Sequence, residues 1–103
     1  MNWAHAADRT TRILLAMPYA ITQFQPTPNP HALKCILDHA LPDPPRSFRS
    51  ADQAGDDPLA RALFAIPGVT GLLLNGGWLT INKRPETDWA SIRTAAARVL
   101  SQV

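Results

Sequence analysis

The side chains with the most obvious chemistry are the single cysteine, Cys35, and His31 four residues before it. A thiolate and an imidazole both bind zinc, so the pair raises the hypothesis of a metal site. The alternating apolar residues from Ala32 onward predict a strand. Four residues along a strand span about 13 Å, whereas zinc–ligand bonds are about 2.0–2.3 Å long. We therefore expect no metal at this pair and a buried, structural role for Cys35.

The carboxylates are densest at Asp52, Asp56 and Asp57. They directly precede a helical pattern, so helix capping and solvation account for them. A carboxylate surface offered to a basic partner is the alternative. The chain contains neither a Gly-x-Ser-x-Gly nucleophile elbow nor a glycine-rich phosphate loop between a strand and a helix. We expect a protein that is not an enzyme.

Composition narrows the partner classes further. The 103 residues suit one domain. Ten basic against eight acidic residues are scattered, so we expect no nucleic-acid partner. No apolar run approaches the roughly 20 residues of a membrane span, and we expect no membrane partner. One cysteine excludes an internal disulfide and suits a reducing compartment. The first residues lack the combined features of a signal peptide, so we expect a cytoplasmic location.

Three strands are predicted before the first helix. Their predicted spans are Ala20–Gln25, Ala32–Asp38 and Arg46–Ser50. A rigid bend, Thr27–Pro30, joins the first two, because its prolines fix the backbone and remove amide donors.

Two helices and a hairpin follow. Asp56 or Asp57 caps the first helix, Pro58 occupies its first position, and Pro67-Gly68 ends it. Its predicted buried stripe is Leu59, Ala62, Leu63 and Ile66. Strands at Val69–Leu74 and Trp78–Lys83 flank the hairpin signal Asn75-Gly76-Gly77. Thr87 or Asp88 caps the last helix, whose predicted buried face is Trp89, Ile92, Ala96 and Val99/Leu100. The order β-β-β-α-β-β-α predicts a two-layer α+β fold, a sheet with two helices on one face.

Several of these segments match one known family in the same order. They are Thr27-Pro28-Asn29-Pro30-His31-Ala32-Leu33-Lys34-Cys35, Arg46-Ser47-Phe48, Asp57-Pro58-Leu59-Ala60 through Gly68-Val69, Trp78-Leu79-Thr80-Ile81-Asn82-Lys83 and Asp88-Trp89. From about residue 19 to 103 the chain resembles the N-terminal domain of the Nfu/NifU iron–sulfur scaffold proteins. It departs from the family pattern at His31 (usually Asn), Cys35 (usually Phe) and Asp57 (usually Ser).

The resemblance implies a function without catalysis. In the family, the Cys-x-x-Cys that binds the cluster lies in a separate C-terminal domain, which these 103 residues do not include. We therefore expect no bound metal or cofactor, and an accessory domain that docks in trans on an iron–sulfur scaffold, a carrier or a client apoprotein. A general protein-interaction module of the same fold is the alternative. Family members start near their first strand, so we expect an extension at 1–16, a domain at 17–103, and Met1 or Met17 as the true start.

Loops on a rigid scaffold are where binding residues concentrate. The candidate partner-binding residues are the bend Thr27, Pro28, Asn29, Pro30 and His31, together with the turn Asn75, Gly76, Gly77 and Trp78. Trp78 is open to two interpretations, as a core residue or as an exposed anchor for a partner. A joint surface requires that the two loops adjoin in the fold.

Overall fold

The computed structural model describes residues 18–102; the predicted extension and both candidate start residues lie outside this range. The elements are β1 (Ile21–Pro26), β2 (Ala32–Leu37), β3 (Arg46–Phe48), a 3-10 helix (Ala51–Ala54), α1 (Pro58–Phe64), β4 (Val69–Asn75), β5 (Trp78–Lys83) and α2 (Trp89–Ser101). The predicted α+β class is confirmed. Two strands end earlier than predicted, β2 at Leu37 and β3 at Phe48.

The five strands form one antiparallel sheet in the spatial order β1-β2-β5-β4-β3. The hairpin turn between β4 and β5 places Gly76 at a φ of 60°, a conformation that glycine adopts at little cost. After β2 the chain crosses to the far edge strand β3 and returns through α1 and β4. The last strand, β5, therefore lies between β2 and β4 and pairs with both.

A single core lies between one face of the sheet and the two helices. Alternate residues of the central strands, such as Cys35 in β2 and Leu79 in β5, are fully buried. From α2 the core receives Ile92, Ala96 and Leu100. Both helices contribute to the same core cluster and contact each other, so they cover the same sheet face.

Aspartate side chains cap both helices. Asp57 accepts a hydrogen bond from the Ala60 amide at 3.1 Å, and Asp88 accepts one from the Ser91 amide at 3.2 Å. These bonds satisfy first-turn donors that have no partner within the helix. The structure thereby selects Asp57 over Asp56 as the cap of α1, and Asp88 over Thr87 as the cap of α2.

The buried face of α1 differs in part from the predicted stripe. Ala60 is fully buried and Ala62 only half-buried. The predicted end of the stripe, Ile66, is buried but lies beyond the helix, which ends at Phe64. The helix has seven residues, so one turn of packing decides which alanine faces the sheet.

Candidate functional site

The proline bend is held by its own hydrogen bonds. The Thr27 hydroxyl lies 2.8 Å from the Asn29 carbonyl oxygen and 3.0 Å from that of Ala32. The Asn29 side-chain oxygen accepts from the His31 amide at 2.9 Å. Pro28 is exposed. The bend is therefore a preformed surface loop rather than a slack connection.

Two further contacts tie this bend to the body of the domain. The Trp89 indole Nε1 donates to the Pro30 carbonyl at 3.1 Å. The Lys83 amide donates to the His31 carbonyl at 2.9 Å. The bend, the end of β5 and the start of α2 therefore meet at one end of the sheet. The predicted core role of Trp89 is met only in part, since it is half-buried and packs against the edge of the core.

Lys83 is a buried residue of this cluster that sequence reasoning missed. It is 8% exposed, and its ammonium donates to the carbonyls of Arg84 and Pro85 at 3.2 and 3.3 Å. The same nitrogen lies 5.3 Å from the centre of the Trp89 ring. The signal was present in the sequence, because Leu79, Ile81 and Lys83 alternate along β5 and so share a face. A lysine is rarely buried because of its charge. Here two carbonyl oxygens and an aromatic ring compensate the ammonium for its lost hydration.

The second predicted loop, the turn Asn75–Trp78, lies at the other end of the sheet. In the antiparallel β2–β5 ladder, Ala32 pairs with Asn82 while Ile36 pairs with Trp78. The four-residue offset separates the two loops by about 13 Å. The turn instead contacts the segment after β2, because Gly76 O accepts from the amide of Leu41 at 2.9 Å. The condition for one joint surface is not met.

Trp78 lies on the sheet face that points away from the helices. Its neighbour Leu79 is fully buried, whereas Trp78 is half-buried and stands outside the core cluster. The Lys34 ammonium lies 4.4 Å from the centre of its ring. The interpretation of Trp78 as a core residue is therefore wrong. What the structure offers at this position is a cation stacked on a partly accessible aromatic ring.

Cys35 occupies the position predicted for it in the core. Its side chain is fully buried, and this burial raises the pKa of the thiol to about 12. The thiol is therefore protonated at neutral pH and is a poor metal ligand. Between residues 18 and 102, no group of three or more His, Cys, Asp or Glu side chains is placed to hold a metal ion.

One member of the aspartate group, Asp57, has a structural role. Beyond capping α1, Asp57 places its second oxygen 2.9 Å from Arg46 Nε, an ion pair in which Nε makes no hydrogen bond. Arg46 also pairs with Asp43 at 2.6 Å. The other two members, Asp52 and Asp56, are exposed. Capping and solvation account for this group.

The fold and the site define a small α+β domain whose one cysteine is buried and whose proline bend and hairpin turn lie at the surface. The family model described as "Scaffold protein Nfu/NifU N terminal" matches residues 21–103. The chain belongs to the Nfu/NifU N-terminal domain family, as its motifs indicated.

Similar proteins carry the same family name. The "NFU1 iron-sulfur cluster scaffold homolog, mitochondrial" of Drosophila sechellia is 31% identical over 93 residues, which cover 84% of this chain and 33% of that protein. The human protein of the same name is 36% identical over 80 residues, covering 69% of this chain and 29% of its own length. The chain thus spans about a third of the length of the curated relatives it matches.

Solved structures show the same fold. A NifU-like protein from Saccharomyces cerevisiae superposes with a TM-score of 0.66 at 26% identity, covering 81% of this chain and 77% of that one. The crystal structure of SAV1430 from Staphylococcus aureus gives a TM-score of 0.64 at 15% identity, covering 78% of this chain and 96% of that one, and shares the fold alone. Within the described part of this chain, neither helix is long and apolar enough to cross a membrane.

Proposed function

We propose that this chain is a non-enzymatic docking domain in iron–sulfur cluster assembly that acts in trans on a protein partner. The partner is an iron–sulfur scaffold, a cluster carrier or a client apoprotein. The observation that carries the proposal is the family match over residues 21–103, together with relatives named as iron–sulfur cluster scaffolds.

The presence of a single, buried cysteine supports a docking role for these residues rather than cluster binding. Iron–sulfur clusters are held by several thiolates, typically four. The 103 residues contain one cysteine, and it is buried. In this proposal the cluster is bound by cysteines of the partner protein. A single cysteine excludes an internal disulfide and suits a reducing compartment, and we propose the cytoplasm as the location.

The two predicted loops would serve as separate contacts. The bend Thr27–His31 is fixed by its prolines and internal hydrogen bonds, so little conformational entropy is lost when a partner binds it. The turn Asn75–Trp78 presents an exposed Gly77 beside a half-buried Trp78. Because the loops lie at opposite ends of β2 and β5, one partner that touches both must extend along the sheet.

Capture from a native lysate by the immobilised full chain, read by mass spectrometry, tests the proposal. We expect enrichment of iron–sulfur scaffolds, carriers or cluster-containing clients. The double variant Pro28→Ala with Pro30→Ala should reduce this capture, because it softens the bend. The matched control is Pro44→Ala with Pro45→Ala, which alters two exposed prolines in another loop.

Two results contradict the proposal. Reproducible capture of proteins with no iron–sulfur role would favour the general interaction module. Stoichiometric iron and cluster absorbance on the purified chain after anaerobic reconstitution would show that it holds a cluster, bridged between chains through Cys35.

A further inference from the structure

The sheet surface opposite the helices carries Lys34, Ile36, Leu73 and Trp78, and we call it the open face. All four residues are half-buried. Their neighbours along each strand, such as Cys35 and Leu79, are buried under the helices. The second layer of the fold covers one side of the sheet, and within residues 18–102 no helix or strand covers the other.

Three of these residues form an apolar strip across the centre of the sheet. Ile36 in β2 pairs directly with Trp78 in β5. Leu73, in β4, pairs with the residue two positions after Trp78 and so lies diagonal to it. Neighbouring strands are about 4.8 Å apart, so the strip extends roughly 10 Å across the three strands. A helix with its side chains is about 10–12 Å in diameter, so one helix running along the strands would cover this extent.

The backbone of these strands restricts what can bind there. The strands β2, β5 and β4 are each paired on both sides, so their amides and carbonyls are used within the ladders. An added strand has no backbone partner on this surface. Contact must be made by side chains, and a helix that lays its apolar stripe on a sheet is the usual solution.

The charges of the open face select the partner further. None of the five strands contains a carboxylate. Lys34 has no carboxylate partner among the described residues and stacks on the Trp78 ring. Arg49 lines the concavity beside Leu73, and its guanidinium has no ion-pair partner within residues 18–102. Two uncompensated cations therefore flank the apolar strip.

We infer that the open face binds an amphipathic helix of a protein partner, with acidic side chains beside its apolar stripe. The inference rests on the proposed docking function and names the chemistry of the partner. Two other occupants are opposed by charge. A second copy would bring its own cations to the same surface, and residues 1–17 carry Arg9 and Arg12 against one acid, Asp8.

The test uses the full chain and a fluorescent model peptide of about 18 residues, roughly 27 Å as a helix, built from leucine and glutamate with one apolar face. The control peptide has lysine in place of every glutamate. Anisotropy titrations at low salt should show at least about tenfold tighter binding of the acidic peptide, corresponding to about 1.4 kcal/mol. The preference should shrink as salt screens the charges.

Charge reversal on the protein gives the matched comparison. Lys34→Glu should weaken binding of the acidic peptide about tenfold and favour the basic one. Arg93→Glu should leave both affinities unchanged within about twofold. Arg93 is an exposed cation that also lies near an aromatic ring, 5.8 Å from the centre of Phe24, but it is on α2 and away from the open face. Trp78→Ala could lower the stability of the domain as well as its affinity for the peptide. Its affinity is therefore interpreted only if the circular dichroism spectrum of the variant matches that of the parent chain.

Several outcomes would overturn the inference. Equal binding of both peptides, or peptide-induced amide shifts confined to the bend or to α2, would exclude the open face. Tighter binding of an oligothymidylate at equal charge would indicate a nucleic-acid partner. Dimerisation abolished by Lys34→Glu would indicate a second copy, and Overhauser contacts from Ile13–Leu15 to the Trp78 ring would indicate residues 1–17. If the parent chain captures iron–sulfur proteins and Lys34→Glu captures them equally, the docking function stands and the open face is not its site.

Discussion

Replacing Asp57 by alanine should be among the most destabilising single changes on the surface of this domain. The carboxylate has two roles, one for each oxygen. One accepts from the Ala60 amide and caps α1, and the other lies 2.9 Å from Arg46 Nε. The side chain is only 15% exposed and that of Arg46 23%, so solvent screens this ion pair less than a fully exposed one.

The magnitude follows from these two contacts. Loss of an N-cap costs about 1 kcal/mol. Loss of the partly buried ion pair adds about 1 kcal/mol, the upper end of the range for exposed pairs. The loss is not larger because Arg46 keeps its ion pair with Asp43. The sum is about 2 kcal/mol. In a domain of this size that lowers the melting temperature by roughly 8–16 °C.

Two variants separate the contributions. Asp57→Asn keeps a cap that is as good as aspartate and removes the charge, so it should lose about 1 kcal/mol. Asp56→Ala changes an exposed neighbour and should stay within about 0.5 kcal/mol of the parent. Urea unfolding followed by circular dichroism measures all three. Equal losses for Asp57→Ala and Asp56→Ala would refute the assignment of the cap. A loss in Asp57→Asn as large as in Asp57→Ala would refute the capping contribution.

Three further predictions concern a buried thiol, a glycine and an exposed carboxylate. Because burial raises the pKa of Cys35 to about 12, Ellman's reagent should label it only in denaturant; rapid labelling of the folded chain would contradict its burial. Gly68→Ala should cost about 2–4 kcal/mol, since Gly68 has a φ of 92° and a Cβ would overlap Thr87, whereas Gly77→Ala, which meets open space, should cost far less in the same urea assay. Hydrogen bonding from the Ala20 amide, with help from His39, lowers the pKa of Asp38. Its stabilising contribution is therefore complete above the ordinary aspartate pKa of about 3.9 and lost as pH falls through the lowered value. Asp38→Asn should accordingly reduce the difference in melting temperature between neutral and strongly acidic pH.

Much of the architecture could be predicted because it depends on short-range chemistry. Caps, proline bends and glycine turns act within a few residues. The order of strands and α-helices, the burial of Cys35 and the cap of α2 at one of two adjacent residues follow from such signals. The family follows from them too, since its motifs are these same signals in a characteristic order.

The candidate surface depended on contacts between residues far apart in sequence. Whether the bend and the turn adjoin is set by the antiparallel β2–β5 register, which no local pattern specifies. The same holds for Lys83 under Trp89 and for Lys34 on Trp78. In each case the sequence determined which side chains are available on a strand face. Only the tertiary structure decided which neighbours they meet, because pairing between distant strands is selected by the packing of the whole core.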